Sequence, residues 1–108
     1  MMKTINNLQE FDQVINQEQM VVIYFYTKWC PDCFAVKPFL PRLESEFSNA
    51  LFYQMDRDID IELARHLNIF GIPSFLIYQK GDEQGRFVSK NRKTYDEVKQ
   101  FILDTLKG

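Results

Sequence analysis

The feature that most constrains this chain is the run Met20-Val-Val-Ile-Tyr-Phe-Tyr26, followed within four residues by Cys30-Pro31-Asp32-Cys33. Consecutive β-branched and aromatic residues with no polar alternation form a strand only where both faces are covered. The run is far short of the roughly twenty apolar residues that span a bilayer. It is therefore predicted to be the central strand of a helix-covered sheet. Pro31 suits a first helical turn, and Val36, Phe39, Leu40, Leu43 and Phe47 follow helical spacing from there. The chain is expected to pass from buried strand to helix with both cysteines at the junction, and Pro38 and Pro41 to bend that helix.

The remaining pattern alternates in the same way. Lys3–Ile5 reads as a short strand, and Asn6 or Asn7 caps a helix carrying Leu8, Phe11, Val14 and Ile15. Leu51–Met55 is a second apolar run, and Ile59, Leu63 and Leu67 predict a short helix ending near Asn68. Ile72–Tyr78 reads as a strand opening on Pro73, Gly81–Gly85 as a hairpin loop and Arg86–Ser89 as the returning strand. Thr94 and Glu97 form a capping box for a last helix burying Val98, Phe101, Ile102 and Leu106. The order β-α-β-α-β-α-β-β-α predicts an α/β fold, parallel in its first half and closed by an antiparallel hairpin.

Composition narrows the function. At 108 residues, 45% apolar and 26% charged, the chain has material for one core, so residues 1–108 are expected to form a single domain. A net charge of −2 supplies no basic field for a phosphate backbone, so nucleic acid is not an expected partner. Met1–Met20 lacks the apolar stretch of a signal peptide, and the sequence contains no membrane-length apolar segment; the expected location is the cytoplasm and the expected state a monomer.

Two cysteines are too few for a disulfide-stapled scaffold or a four-thiolate zinc site, so they act as a pair. Their spacing permits one disulfide across the first helical turn. The helix start stabilises a thiolate at Cys30, and a loop tip leaves that sulfur accessible. Lowering a thiol pKa from about 8.5 to about 7 raises the thiolate fraction at pH 7 about sixteenfold, but weaker nucleophilicity takes back about fivefold. Proximity must supply the rest, with Cys33 attacking the mixed disulfide intramolecularly. Two bland readings stand beside this one. A structural staple across so short a loop contributes only about 2 kcal/mol. A metal site would need His66, the single histidine, and no metal is expected. Spacing within a β-α-β pattern favours redox chemistry, with the Cys30–Cys33 disulfide itself as the redox group and no bound cofactor.

Trp29-Cys30-Pro31-Asp32-Cys33, Pro38 five residues on, Gly71-Ile72-Pro73-Ser74, and Gly81 in the following hairpin together resemble the thioredoxin family across nearly the whole chain. The resemblance implies a thioredoxin fold, a mixed sheet of four to five strands flanked by about four helices. It implies a thiol-disulfide oxidoreductase, expected to be a cytosolic disulfide reductant, in which Cys30 attacks and Cys33 resolves. Trp29, Gly71, Ile72 and Pro73 would bind substrate, with Ile72–Pro73 a cis peptide leaving the Ile72 backbone free to pair with an extended segment. Substrates would be disulfide-containing proteins or small molecules, and a disulfide reductase or low-molecular-weight thiol would recycle the pair. A redox-sensing or partner-binding module with little turnover is the alternative.

Several residues depart from the family pattern. Pro31-Asp32 replaces the usual Gly-Pro and is locally similar to cytosolic thioredoxin-related proteins of about fourteen kilodaltons; an anion at Asp32 disfavours a second one at Cys33. The buried Asp of thioredoxins corresponds to Tyr24 and its Lys partner to Phe52, so the charged pair is lost as a unit. Water, the Tyr24 hydroxyl or Asp32 would then take the proton of Cys33. Lys90, Asn91 and Arg92, with Lys93 next in the chain, fall where the family has small residues. They are expected to form a positively charged rim, with Asn91 free to adopt a left-handed backbone, or else a solvated loop. Trp29 is expected to pack on the disulfide. Phe34 is expected to serve either as a partner platform or as core, and Phe70 lies near the motif.

Overall fold

The computed structural model describes residues 2–108. Among these, five strands form one sheet: β1 (Lys3–Ile5), β2 (Val21–Tyr26), β3 (Leu51–Asp56), β4 (Ser74–Gln79) and β5 (Asp82–Phe87), in spatial order β1-β3-β2-β4-β5. β3 runs parallel to β1 and β2, while β4 is antiparallel to β2 and β5. β2 is central, and Val21, Val22 and Ile23 are wholly inaccessible, as an unalternating apolar run requires. The helices are α1 (Leu8–Ile15), α2 (Pro31–Val36), α3 (Leu40–Glu46), α4 (Ile61–His66) and α5 (Tyr95–Lys107).

Side-chain contacts assign the helices to faces. Tyr24 of β2 stands opposite Phe75, which stands opposite Phe87, so the three share one face. The Tyr24 hydroxyl reaches the Cys33 carbonyl and Phe87 touches Phe101, which places α2 and α5 over that face. The Arg42 guanidinium lies 4.0 Å from the Tyr95 ring centre, and the Tyr95 hydroxyl donates to Glu46, clamping α3 to α5. On the other face Tyr78, opposite Val21, meets the Phe11 ring of α1 edge-on.

Local rules account for the ends. Asn7 caps α1 by accepting the Glu10 amide, while the Glu10 carboxylate turns back to the Asn6 amide. The reciprocal Thr94–Glu97 box opens α5. The bent helix is in fact two helices joined by a 3₁₀ turn at Lys37–Phe39. Pro38, exposed, lies in that turn and Pro41 in the first turn of α3, where their missing donors cost least.

Four expectations need correction. α4 starts later than the apolar spacing suggests, because Asp60 accepts the Leu63 amide as its cap; Ile59 ends a separate 3₁₀ turn and is half exposed. β4 begins at Ser74, leaving Ile72 and Pro73 in the turn before it. The hairpin loop is Lys80-Gly81, both at positive φ (53° and 87°), as a tight two-residue turn demands, and its amides bond to Gln17 and Ile15 at the end of α1. The returning strand accordingly starts at Asp82 and ends at Phe87 rather than Ser89, with Gly85 inside it beneath α5. Finally, Leu106 is 48% exposed because α5 has passed the sheet edge by its last turn, whereas Val98 and Ile102 are fully buried.

Candidate active site at the start of helix α2

β2 ends at Tyr26, and Thr27-Lys28-Trp29 carry the chain to Cys30, the N-cap of α2. An N-cap side chain normally accepts one of the unpaired amides of the first turn, and here the acceptor is sulfur: the Cys33 amide donates to Cys30 Sγ at 3.1 Å. The same geometry offers a Cys30 thiolate the positive end of the helix and a hydrogen bond. Cys30 and Cys33 are joined as a disulfide with Cα atoms 5.2 Å apart, and both are buried. Pro31 occupies the first helical turn and is exposed, while Asp32 is half exposed in the turn between the cysteines.

Tyr24 is buried beneath this turn. Its hydroxyl donates to the Cys33 carbonyl at 2.8 Å, and its ring stacks on Tyr26 and packs on Phe75. Burial, and next the neighbouring Tyr26, push its pKa up, so the phenol keeps its proton. Tyr24 therefore holds the Cys33 backbone through its own proton. Phe52 lies across from Val22 on the neighbouring strand, 8% exposed. Neither Tyr24 nor Phe52 brings a charge beneath the cysteine turn.

The register pairs Phe25 with Ser74, so the residues just before β4 lie at the end of the sheet from which β2 leads to Cys30. Gly71, Ile72 and Pro73 are buried, and the Ile72–Pro73 bond is cis. Ser74 Oγ donates back to the Gly71 carbonyl and closes this turn. A Cβ on Gly71 would lie 2.6 Å from the Lys90 amide nitrogen and nearer still to the Ser89 carbonyl group. Both are backbone atoms that cannot rotate away. Gly71→Ala is expected to cost about 1–3 kcal/mol in urea unfolding; an unchanged midpoint would show that the 89–90 segment yields freely.

Around the turn the aromatic residues divide. Trp29 is 64% exposed and tied to the side, its indole donating to Asp58 at 2.9 Å with the Arg57 guanidinium 5.8 Å from its ring centre. Phe34 is 53% exposed with the Lys37 ammonium over its ring, which excludes the core role for it; Phe70 is 62% exposed.

The expected positive rim is only partly present. Lys90, Asn91 and Arg92 are exposed, but Lys93 is buried, its ammonium donating to the Ser89 carbonyl and hydroxyl and to the Asn91 carbonyl. Burial pushes its pKa down. Arg92 lies 3.4 Å from the Asp32 carboxylate. Asn91 does not use a left-handed backbone; among the described residues the non-glycine positions that do are Asn68 and Lys80. Neither the burial of Lys93 nor the Arg92–Asp32 pair carries a signal in the sequence, because each depends on how the loop folds onto the cysteine turn. His66 is exposed on α4, and no cluster of three or more potential metal-ligating side chains occurs among the described residues.

Comparison with known proteins agrees with this geometry. The chain matches the thioredoxin family over residues 2–104. Thioredoxin-1 of Schizosaccharomyces pombe is 30% identical over 91 residues, covering 84% of this chain and 88% of that protein. Thioredoxin of Oryctolagus cuniculus is 30% identical over 105 residues, covering 95% and 100%. Among solved structures, oxidised mitochondrial thioredoxin 3 of Saccharomyces cerevisiae superposes with a TM-score of 0.83 at 26% identity, covering 95% of this chain and 94% of that one. Among the described residues, no helix is long and apolar enough to cross a membrane. Thioredoxins work through their own cysteine pair without a bound cofactor and act on disulfide-containing proteins, being recycled by a reductase. With its cysteines paired at the start of α2 under a five-stranded mixed sheet, this chain belongs to the thioredoxin family and is a thiol-disulfide oxidoreductase.

Proposed function

We propose that residues 1–108 act as one domain, a monomeric cytoplasmic reductant of disulfides in proteins and small molecules. The observation that carries the order of events is the Cys33 amide on Cys30 Sγ. It favours negative charge on Cys30 and leaves Cys33 the thiol. The Cys30 thiolate attacks a substrate S–S bond, forming a mixed disulfide and releasing one substrate thiolate. Cys33 then loses its proton and attacks the Cys30 sulfur, releasing the second substrate thiolate and closing the Cys30–Cys33 disulfide. Two electrons pass to the substrate, and solvent supplies the protons its thiolates take up. With Tyr24 protonated and donating to a carbonyl, the proton of Cys33 leaves to water or by way of Asp32. Trp29, Gly71, Ile72 and Pro73 form the binding surface, with an extended substrate segment pairing with the Ile72 backbone. Pro38 shapes the bend behind the cysteines, and Phe34, Phe70, Lys90, Asn91 and Arg92 border the surface. A reductase or a low-molecular-weight thiol restores the dithiol.

The direction of electron flow is tested by equilibrating the pair with glutathione and quantifying the oxidised fraction. A potential near about −270 mV is expected for a reductant, and a value near about −120 mV would make the chain an oxidant.

A further inference from the structure

The loop after β5 joins the two halves of the site. Its Ser89–Lys90 backbone packs directly on Gly71, beside Ile72 and Pro73. Its Arg92 reaches across to Asp32, in the turn between the cysteines. The backbone between these contacts is anchored from inside. The buried Lys93 ammonium gathers the Ser89 carbonyl (3.3 Å), the Ser89 hydroxyl (3.0 Å) and the Asn91 carbonyl (2.9 Å), 5.0 Å from the Phe87 ring centre. The Asn91 amide donates to the same Ser89 hydroxyl. These bonds lie within the loop and hold its backbone in one shape against Gly71, so the cheapest movement at this edge of the site is the turning of the exposed Arg92 side chain.

Resting on the reductant reading above, we propose that Arg92 and Asp32 form a side-chain latch at the cysteine turn. A polypeptide disulfide must open it and a small disulfide need not, so the pair sets the preference of the enzyme between these two substrate classes. A chain that pairs with the Ile72 backbone runs between the Gly71–Pro73 turn and the cysteine turn, the two elements that the 89–92 loop spans. It meets the Arg92–Asp32 contact, whereas a small disulfide needs only the sulfur of Cys30. The two side chains are 65% and 43% exposed, so the pair is weak, with a factor of up to about five in an equilibrium. That magnitude suits a latch that opens on each encounter. The same exposure makes it sensitive to salt.

The test uses the full chain in its reduced form. Single-turnover rate constants are measured by acid quench for two probes, a disulfide-looped peptide with uncharged residues flanking its cysteines and bis(2-hydroxyethyl) disulfide. The proteins are the wild type, Arg92→Ala, Asp32→Asn and the double variant. The step followed is formation of the mixed disulfide, before the Cys33 proton and its route through Asp32 matter, so the ratio of peptide to small-disulfide rates cancels any change in Cys30 reactivity. Each single substitution is expected to raise that ratio about three- to fivefold, and the double variant no further, because either change alone removes the latch. Raising salt from about 0.05 to about 1 M is expected to bring the wild-type ratio up toward that of the variants. Ratios equal in all four proteins, a ratio that falls in the single variants, or effects that add in the double variant would each overturn the latch. A wild type that reduces neither probe would overturn the reductant reading, and the latch with it.

Discussion

Cys30→Ser is expected to abolish disulfide reduction, and Cys33→Ser to stop it one step later, with the enzyme held on its substrate. An alcohol at position 30 does not ionise near neutral pH and forms no bond to a substrate sulfur, so the first step is lost outright. At position 33 the attack proceeds, but the mixed disulfide waits for an external thiol. Intramolecular attack by a well-placed group corresponds to an effective concentration of about 10⁵ M or more, against about 10⁻³ M for a cellular thiol, so the release step slows by about eight orders of magnitude when the geometry is ideal. Mass spectrometry of Cys33→Ser mixed with a disulfide-containing peptide should find the peptide attached at Cys30. The same adduct on Cys33 in a Cys30→Ser chain would reverse the assigned roles. The asymmetry rests on one hydrogen bond: the Cys33 amide donates to Cys30 Sγ, while the Cys33 backbone is pinned from below by Tyr24.

The second large effect is a loss of stability at alkaline pH. Tyr78 is buried, 5% exposed, and desolvation, with a smaller push from Glu83, raises its pKa to about 12. Tyr24 is raised in the same direction by burial. A phenol that titrates higher when folded holds its proton more tightly in the native state, so its contribution is complete below the unfolded pKa near 10 and drains away above it. For Tyr78 this amounts to about 3 kcal/mol in full, about half of it gone by pH 11 and the remainder only as the pH passes about 12. Lys93 acts in the opposite sense: its depressed pKa makes the unfolded chain bind more protons between the two values, so stability rises with pH there. Urea midpoints should therefore hold nearly constant from about pH 7 to 9 and fall steeply above about pH 10. Tyr78→Phe and Tyr24→Phe should each flatten the fall. Tyr24→Phe should also lower stability at neutral pH by about 1 kcal/mol, through the donor lost to the Cys33 carbonyl. An equally steep alkaline fall in both variants would assign it to other groups.

Much of the architecture was legible from the residues, because the signals were local. A short run of β-branched and aromatic residues with no alternation favours a covered strand, and Thr94 with Glu97 marks the first turn of a helix by satisfying that turn's own amides. A cysteine next to Pro31 at the mouth of a helix is set against backbone amides whatever the rest of the chain does. The errors fell where a distant element decided. Lys80-Gly81 makes the turn because the end of α1 accepts both of its amides, and Gly85 is left inside the strand beneath α5. α4 opens at Asp60 because capping, and not apolar spacing, sets a helix start.

The site divides along the same line. Which atoms react was set by residue type and spacing: two thiols, two residues apart, at the start of a helix. What surrounds them belongs to the folded chain. Lys90, Arg92 and Lys93 look like equal charges in a row, yet one is exposed, one is spent on Asp32 and one is buried among carbonyl oxygens. Charge along a chain counts groups, but what each charge does depends on its solvation and nearest partner, and both exist only once the loop, the cysteine turn and the Gly71 turn have met.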